Sequence, residues 1–284
     1  MAEKKNALLL FTKAPAPGVT KTRLTEERGG IFTPEEAADF YQAMLLDVAD
    51  IGCQALSRLN RELSSDDENI NEYDFVISCP SENDQKKLTE LIIQEDAKLL
   101  PKLFINDHGG TFDEHFDDAF RQLFQMGYHS VVSVGGDLPT LSVDHIIEAF
   151  RWLEKFDASS ERGGFVQAPC QECGVSLVGY TGQTPMDARG VFYNLNGIPA
   201  LDAYIAKAAE KGVPAAYLTP VADVDNTGDL AHSISLLRAM AYSSKYQPDL
   251  LWAKRTLTWI DEAGIVISTP PNTLHDPREN VDVN

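Results

Sequence analysis

Short, uninterrupted apolar runs alternate with amphipathic helical patterns along most of this chain, and few folds accommodate that alternation. Ala7–Phe11 is the first run, ALLLF. Runs of this length without polar interruption are strands buried on both faces. A helix signal follows. Thr33 is placed to cap it, Pro34 fits its first position, and Glu36 completes a capping box. Ala37, Phe40, Tyr41, Met44, Leu45, Val48 and Ile51 recur at three- and four-residue steps, one face of an amphipathic helix. Residues 61–74 read as an acidic solvated loop.

The alternation then repeats. Strands are expected at Phe75–Cys79, Lys102–Ile105 and Ser130–Val134, and helices at Asp84–Asp96, Phe112–Met126 and Val143–Phe156. Gly164–Ala168 and Val175–Tyr180 read as a strand pair. Leu201–Lys211 and Gly228–Met240 read as helices on either side of a strand, Ala215–Leu218. Such a pattern predicts an α/β fold with a mixed, mostly parallel sheet covered by helices. Ligands of such sheets bind beyond the carboxyl ends of the strands. The segments after Phe11, Val134 and Leu218 are therefore the places to look for chemistry.

The chain has 284 residues, with 24 Lys and Arg against 43 Asp and Glu, a net charge of −19. A balance this acidic argues against nucleic-acid and anionic-membrane partners. A few convergent cations can still bind a small anion. No apolar stretch approaches the roughly 20 residues of a membrane span. The first residues lack the pattern of a signal peptide. The four cysteines make no disulfide scaffold, so a reducing cytoplasm is the expected location.

Three segments carry the unusual residues. In TKAPAPGVTKTRL, two prolines stiffen a loop and Gly18 permits a turn, while Lys13, Lys21 and Arg23 gather three cations within eleven residues. That concentration suits a polyphosphate, although a solvated basic loop pairing with surface acids would read the same way. It is not a Walker A loop, because Thr20 stands where glycine would precede Lys-Thr. In VVSVGGDLPTLS, Asp137 follows two glycines at a strand's carboxyl end. It is placed to hold Mg²⁺ or Mn²⁺ for a phosphate-bearing ligand, or to bond turn amides. In PVADVDNTGDL, Asp225 is the candidate partner of Asp137 on one metal, Thr227 the expected helix cap, and Asp229 a helix-dipole residue.

Other signals are weaker. Cys170 and Cys173 form one C-x-x-C pair, too few thiolates for a zinc site, and they read as free thiols in a turn. The six histidines show no ligand spacing. His115, between Asp113 and Asp117, is expected on an exposed helix face, and no catalytic triad is apparent.

The order of these segments, K-A-P-x-P-G-x-x-K-T-R-L, then G-G-D-L-P-x-L, then D-V-D-N-T-x-D-L, resembles the nucleotide-diphospho-sugar transferase superfamily. It is most similar to the bacterial radical-SAM/selenodomain-associated transferases, relatives of molybdenum cofactor and phospholactate guanylyltransferases. The resemblance spans roughly Ala7–Met240. It implies a GT-A-like three-layer α/β/α sandwich. In that frame Lys13, Gly18, Lys21, Thr22 and Arg23 would bind nucleotide phosphates, and Lys21, Arg23 and Asp137 would act in catalysis. Asp137 and Asp225 would hold Mg²⁺ or Mn²⁺. Gly109, Gly110 and Phe112 sit where relatives have a short glycine-containing stretch. The implied reaction is nucleotidyl transfer from a nucleoside triphosphate to a phosphorylated small-molecule acceptor. Glycosyl transfer from a sugar nucleotide and nucleotide binding without turnover are the alternatives.

One departure stands out. Where relatives carry Asp-Gly-Gly-Tyr, this chain reads Glu172, Cys173, Gly174, Val175. That change points to a different acceptor or to lost turnover. The expected organisation is a transferase domain over residues 1–240 and an extension over 241–284. The extension is read as a helix at Asp249–Ala263, a strand at Ile265–Ile267 and a tail, covering the sheet or forming a homodimer interface.

Overall fold

The structure is a computed structural model, and it describes residues 4–62 and 71–269. Seven strands form one sheet: β1 (Lys4–Phe11), β2 (Asn71–Cys79), β3 (Leu103–Asn106), β4 (Tyr128–Gly135), β5 (Phe165–Pro169), β6 (Val175–Thr181) and β7 (Ala215–Tyr217). Seven α-helices accompany them: α1 (Pro34–Glu62), α2 (Glu82–Asp96), α3 (Phe112–Gln125), α4 (Val143–Ser159), α5 (Ala200–Lys211), α6 (Thr227–Ser243) and α7 (Lys254–Glu262).

The spatial order is β3-β2-β1-β4-β6-β5-β7. β6 pairs antiparallel with both β4 and β5, and the remaining pairs are parallel. Alternation along β1 explains the layers. Leu8 and Leu10 point into a core shared with α1, α4, α6 and α7, while Ala7 and Leu9 point into a second core with α3 and α5. With both faces covered, a central strand has no solvent side, so its sequence reads as one apolar run.

Local signals formed largely as expected. Thr33 and Glu36 close the capping box at α1, with Glu36 N donating to Thr33 Oγ1 at 3.1 Å and Thr33 N donating to Glu36 Oε2 at 2.7 Å. Four expectations need correction. β2 begins at Asn71, inside the stretch read as loop; residues 63–70 of that stretch lie outside the described residues. The cap of α6 is Asn226 rather than Thr227, because the Asn226 Oδ1 accepts from Gly228 N at 2.8 Å and Asp229 N at 3.1 Å. The extension's helix is shorter than expected, Lys254–Glu262, and residues 265–267 form no strand. The expected tail falls mostly beyond residue 269, outside the described residues.

The extension packs into the first core. Trp259 meets Phe32 and Phe40 with ring centroids 5.2 and 5.1 Å apart. Ala253 cannot cap α7, so Asp47 of α1 does so from outside. Its buried carboxylate accepts from Arg255 N at 3.2 Å, Thr256 N at 2.7 Å and Thr256 Oγ1 at 2.8 Å. Those amides are among the orphan donors of a helix N-terminus.

Candidate functional site

A cavity of about 930 Å³ opens beyond the carboxyl ends of β1 and β4. Its lining includes Lys13, Thr22, Asp137, Cys170 and Asp223, drawn from segments far apart in sequence. The chain is led there by the strands themselves. β1 and β4 lie side by side and parallel, so the loops after Phe11 and Gly135 leave the sheet together.

The loop after β1 is held by its own side chains. Lys13 Nζ donates to Val19 O at 2.8 Å, and Thr20 Oγ1 donates to Ala16 O at 3.1 Å. Gly18 has φ +70°, a backbone that L residues rarely adopt. It shapes the turn, but it is not part of the cavity lining. Lys21 also takes a left-handed backbone, φ 48°, which turns its side chain inward.

The Lys21 ammonium lies 2.6 Å from Asp137 Oδ2 and 2.8 Å from Asp225 Oδ1. Arg23 Nη1 donates to the other oxygen of Asp225 at 3.0 Å. Residues separated by more than a hundred positions thus form one charged cluster. Burial alone would lower the pKa of Lys21, but the facing Asp137 and Asp225 outweigh it and hold the ammonium above its ordinary value. Burial raises Asp225, yet the Lys21 and Arg23 cations leave it below the usual carboxylate value. Lys13 is lowered by burial and by the Lys21 charge.

The glycines before Asp137 have a steric reason. A Cβ on Gly135 would stand 2.7 Å from Asp137 Oδ1, and one on Gly136 would stand 2.9 Å from the Tyr41 hydroxyl. Tyr41 and Thr12 hydroxyls are 2.6 Å apart beneath the loop. Burial pushes the Tyr41 phenol up to about 12, so it stays protonated.

The site residues expected from sequence therefore meet. Lys21, Arg23, Asp137 and Asp225 touch one another, Lys13 and Thr22 line the same cavity, and Gly18 acts from behind. A third carboxylate joins them. Burial, with Asp137 and Asp225 nearby, raises Asp223 to about 6. Asp137 and Asp225 converge on the Lys21 ammonium; among the described residues no group of three or more His, Cys, Asp or Glu side chains is placed to hold a metal ion.

The segment Cys170–Gly174 forms another wall. Glu172 and Cys173 have φ of 55° and 61°, and a Cβ on Gly174 would stand 2.6 Å from Cys170 Sγ. Gln171 ties this wall to the strand-end loop, with Nε2 donating to Asp223 O and Oε1 accepting from Asp223 N, both at 3.2 Å. Burial first, then the Asp223 charge, pushes the Cys170 thiol up to about 12. Both cysteines are free, as expected, and Cys170 is not an activated thiolate.

His115 is the main correction. It does not sit on an exposed face. Its Nδ1 lies 2.6 Å from Asp107 Oδ1, and the ring lines the cavity. Asp113 is buried as well and accepts from the amides of Gly190, Val191 and Phe192, while Asp117 accepts from Ala188 N. These two acids anchor the loop that carries Phe192 and Tyr193 to the cavity. Gly109 is required here, since its Cβ would stand 2.7 Å from His115 N. The Asp-x-x-x-Asp spacing puts Asp113 and Asp117 on one helix face, whereas His115, two residues on, points to the other side.

Residues 73–195 match the family described as "Uncharacterized protein conserved in bacteria (DUF2064)". No curated protein matches the chain. Among solved structures, a candidate nucleotide-diphospho-sugar transferase from Desulfovibrio desulfuricans G20 aligns over 91% of this chain and 95% of its own, with 22% identity and a TM-score of 0.68. A cytidylyltransferase from Leptospira borgpetersenii aligns over 88% and 98%, with 12% identity and a TM-score of 0.44. The chain thus shares the fold of the Desulfovibrio structure, and its central residues 73–195 match the DUF2064 pattern.

Proposed function

We propose that this protein is a metal-dependent transferase acting on an activated nucleotide, with nucleotidyl transfer from a nucleoside triphosphate to a small-molecule acceptor as its reaction. The observation that carries this reading is the meeting of Lys21 and Arg23 with Asp137 and Asp225 at the carboxyl ends of the strands. Cations alone would bind any anion, and carboxylates alone any cation. Together they suit a ligand that arrives as a polyphosphate with its own divalent metal. The similarity of the fold to a candidate nucleotide-diphospho-sugar transferase supports the same class.

In this reading Asp137 and Asp225 would hold Mg²⁺ or Mn²⁺, with Asp223 beside them. The metal would neutralise charge on phosphate oxygens. Arg23, whose side chain is 60% exposed, is free to swing and clamp phosphate oxygens in two places. Lys21 moves from carboxylate to phosphate and stabilises charge on the departing pyrophosphate. Catalysis is then positioning and electrostatics, with no covalent enzyme intermediate.

Thermal unfolding with nucleoside triphosphates and sugar nucleotides, each with and without Mg²⁺ or Mn²⁺, tests the reading. A ligand at about 100 times its dissociation constant stabilises by about 2.7 kcal/mol. A metal-dependent shift with a triphosphate, and pyrophosphate as product, is the expected result. Release of a nucleoside diphosphate from a sugar nucleotide would place the protein among glycosyltransferases instead. Arg23→Ala and Asp137→Ala are each expected to cut turnover by about 100-fold or more. Turnover near that of the unmodified protein in either variant would overturn this site assignment.

A further inference from the structure

The cavity has two chemically different ends. Among its described lining residues, Lys13, Lys21 and Arg23 supply every Lys and Arg, and all three come from the loop after β1. The end formed by α3 and the loop at 192–200 offers none. It presents aromatic rings instead. Phe112 packs against Phe11, Phe192 and Tyr193 with centroids 5.5, 5.1 and 5.5 Å apart. Phe112 is 40% and Tyr193 71% exposed, so this wall keeps ring surface for a ligand.

His115 lies one helical turn from Phe112. Asp107 beneath it is 3% exposed and receives the Ser78 hydroxyl at 2.6 Å on its second oxygen. An ionised carboxylate only accepts, so the hydrogen bond at 2.6 Å places the imidazole proton on Nδ1. Nε2 is then an acceptor, and no hydrogen bond to it is seen among the described residues. A ring fixed at one nitrogen, bare at the other and bordering a cavity has the form of a general base held by an orienting carboxylate.

We propose that His115 is a catalytic base for the hydroxyl of an acceptor, with Asp107 as its positioning residue, and that Phe112 and Tyr193 seat the ring face of a neutral sugar or cyclic polyol carrying that hydroxyl. The proposal rests on the nucleotidyl-transfer reading above and changes the acceptor expected from sequence. A phosphate nucleophile is already ionised and needs no base. It would also lie at the cavity end that lacks Lys and Arg, beside Asp107. A hydroxyl needs its proton removed, and the apolar face of a sugar ring suits an aromatic wall.

The step balances without a further reagent. The acceptor proton passes to His115 Nε2 as the acceptor oxygen bonds to the α-phosphorus of the triphosphate. The bond from that phosphorus to the β-phosphate oxygen breaks, and pyrophosphate leaves with the electron pair near Lys21 and Arg23. The imidazolium then returns its proton to solvent.

Phenyl β-D-glucopyranoside and phenyl phosphate serve as probes, because they share the ring and differ in the nucleophile. In the full-length protein loaded with Mg²⁺ and triphosphate, the glycoside is expected to shift the His115 ring ¹⁵N resonances. Phe112→Ala or Tyr193→Ala should each weaken its binding about fivefold. His115→Ala should leave the nucleotide-induced thermal shift unchanged. It should lower the turnover supported by the glycoside by about 100-fold or more, with partial rescue by free imidazole. Asp107→Asn should move the Nδ1–H tautomer signal and lower kcat more than it raises KM. Nucleotide binding with the glycoside indifferent to Phe112 and His115, or with phenyl phosphate the preferred probe, overturns the acceptor proposal and leaves the transferase reading intact. The absence of a thermal shift with any nucleotide overturns the transferase reading itself.

Discussion

Replacing Lys21 by Met separates two roles that one side chain plays. In the free protein the Lys21 ammonium is 7% exposed and bonds Asp137 at 2.6 Å and Asp225 at 2.8 Å. Each bond is charge-assisted, a class worth about 1.5–3 kcal/mol. Their loss does not all appear as instability, because Asp137 and Asp225 are 28% and 43% exposed and can rehydrate. A net cost of about 1–2 kcal/mol is expected, below the 3–5 kcal/mol for stripping a fully buried pair. The cation site should respond in the opposite sense. The ammonium competes for the same carboxylate oxygens, and removing a competing charge worth about 1.4–2.8 kcal/mol strengthens cation binding about 10- to 100-fold. Nucleotide turnover should fall by about 100-fold or more, since the leaving group loses a cation. Titration of nucleotide-free protein with Mn²⁺, followed by electron paramagnetic resonance of the free ion, measures the affinity. A Lys21→Met protein that keeps its fold and binds Mn²⁺ no more tightly than the original would refute the shared-site argument.

Three further outcomes concern the scaffold around the site. Asp47→Ala removes the only side-chain cap on α7 among the described residues and strands the Thr256 hydroxyl, so a loss of about 2–4 kcal/mol is expected in urea unfolding; a loss below 0.5 kcal/mol would contradict it. His145 caps α4 with Nδ1 accepting from Ser142 N at 3.2 Å, and burial lowers its pKa below the ordinary histidine value. The unfolded chain therefore binds the proton first, and stability should rise with pH through the window between the folded pKa and about 6.5, then level off; His145→Gln should flatten that rise in melting temperature. Asp223 is shifted the other way, to about 6, chiefly by burial. Folding then favours its protonated form, so stability should fall as pH rises from about 4 to 6, and Asp223→Asn should gain on the original protein across that interval. A gain independent of pH would show that Asp223 does not titrate as described.

Much of the layout was legible because its signals are local. The Ala7–Phe11 run is apolar on every residue because β1 is covered on both faces, and the Thr33–Glu36 box needs only four residues. The Gly135-Gly136-Asp137 turn was recognisable for a related reason, since a Cβ on Gly136 would meet Tyr41 and one on Gly135 would meet Asp137. The cap of α6 was misplaced by one position because Asn226 and Thr227 are both competent caps, and only backbone geometry decides between them. His115 was misread for a deeper reason. Period and polarity place Asp113, His115 and Asp117 on a helix, but its exposure depends on what crosses that face. Here Asp107, just after β3, meets His115, and the 188–192 loop covers Asp113 and Asp117 on the other side.

The same distinction explains how the site is assembled. Its cationic end comes from one contiguous loop, so a sequence displays it whole. Its carboxylates and its aromatic end are distributed over strand ends, α3 and the loop before α5, and only the sheet order brings them together. β1 lies between β2 and β4, so its loop faces Asp107, two strands away through β2 and β3, on one side and Asp137 on the other. Lys21 and Arg23 complete the circuit to Asp225, beyond the far strand β7. A ligand spanning that edge meets cations, carboxylates and aromatic rings in succession. A polyphosphate joined to a neutral ring during transfer presents the complementary sequence of groups, which is why the two ends of the cavity are better understood as one reaction site than as separate pockets.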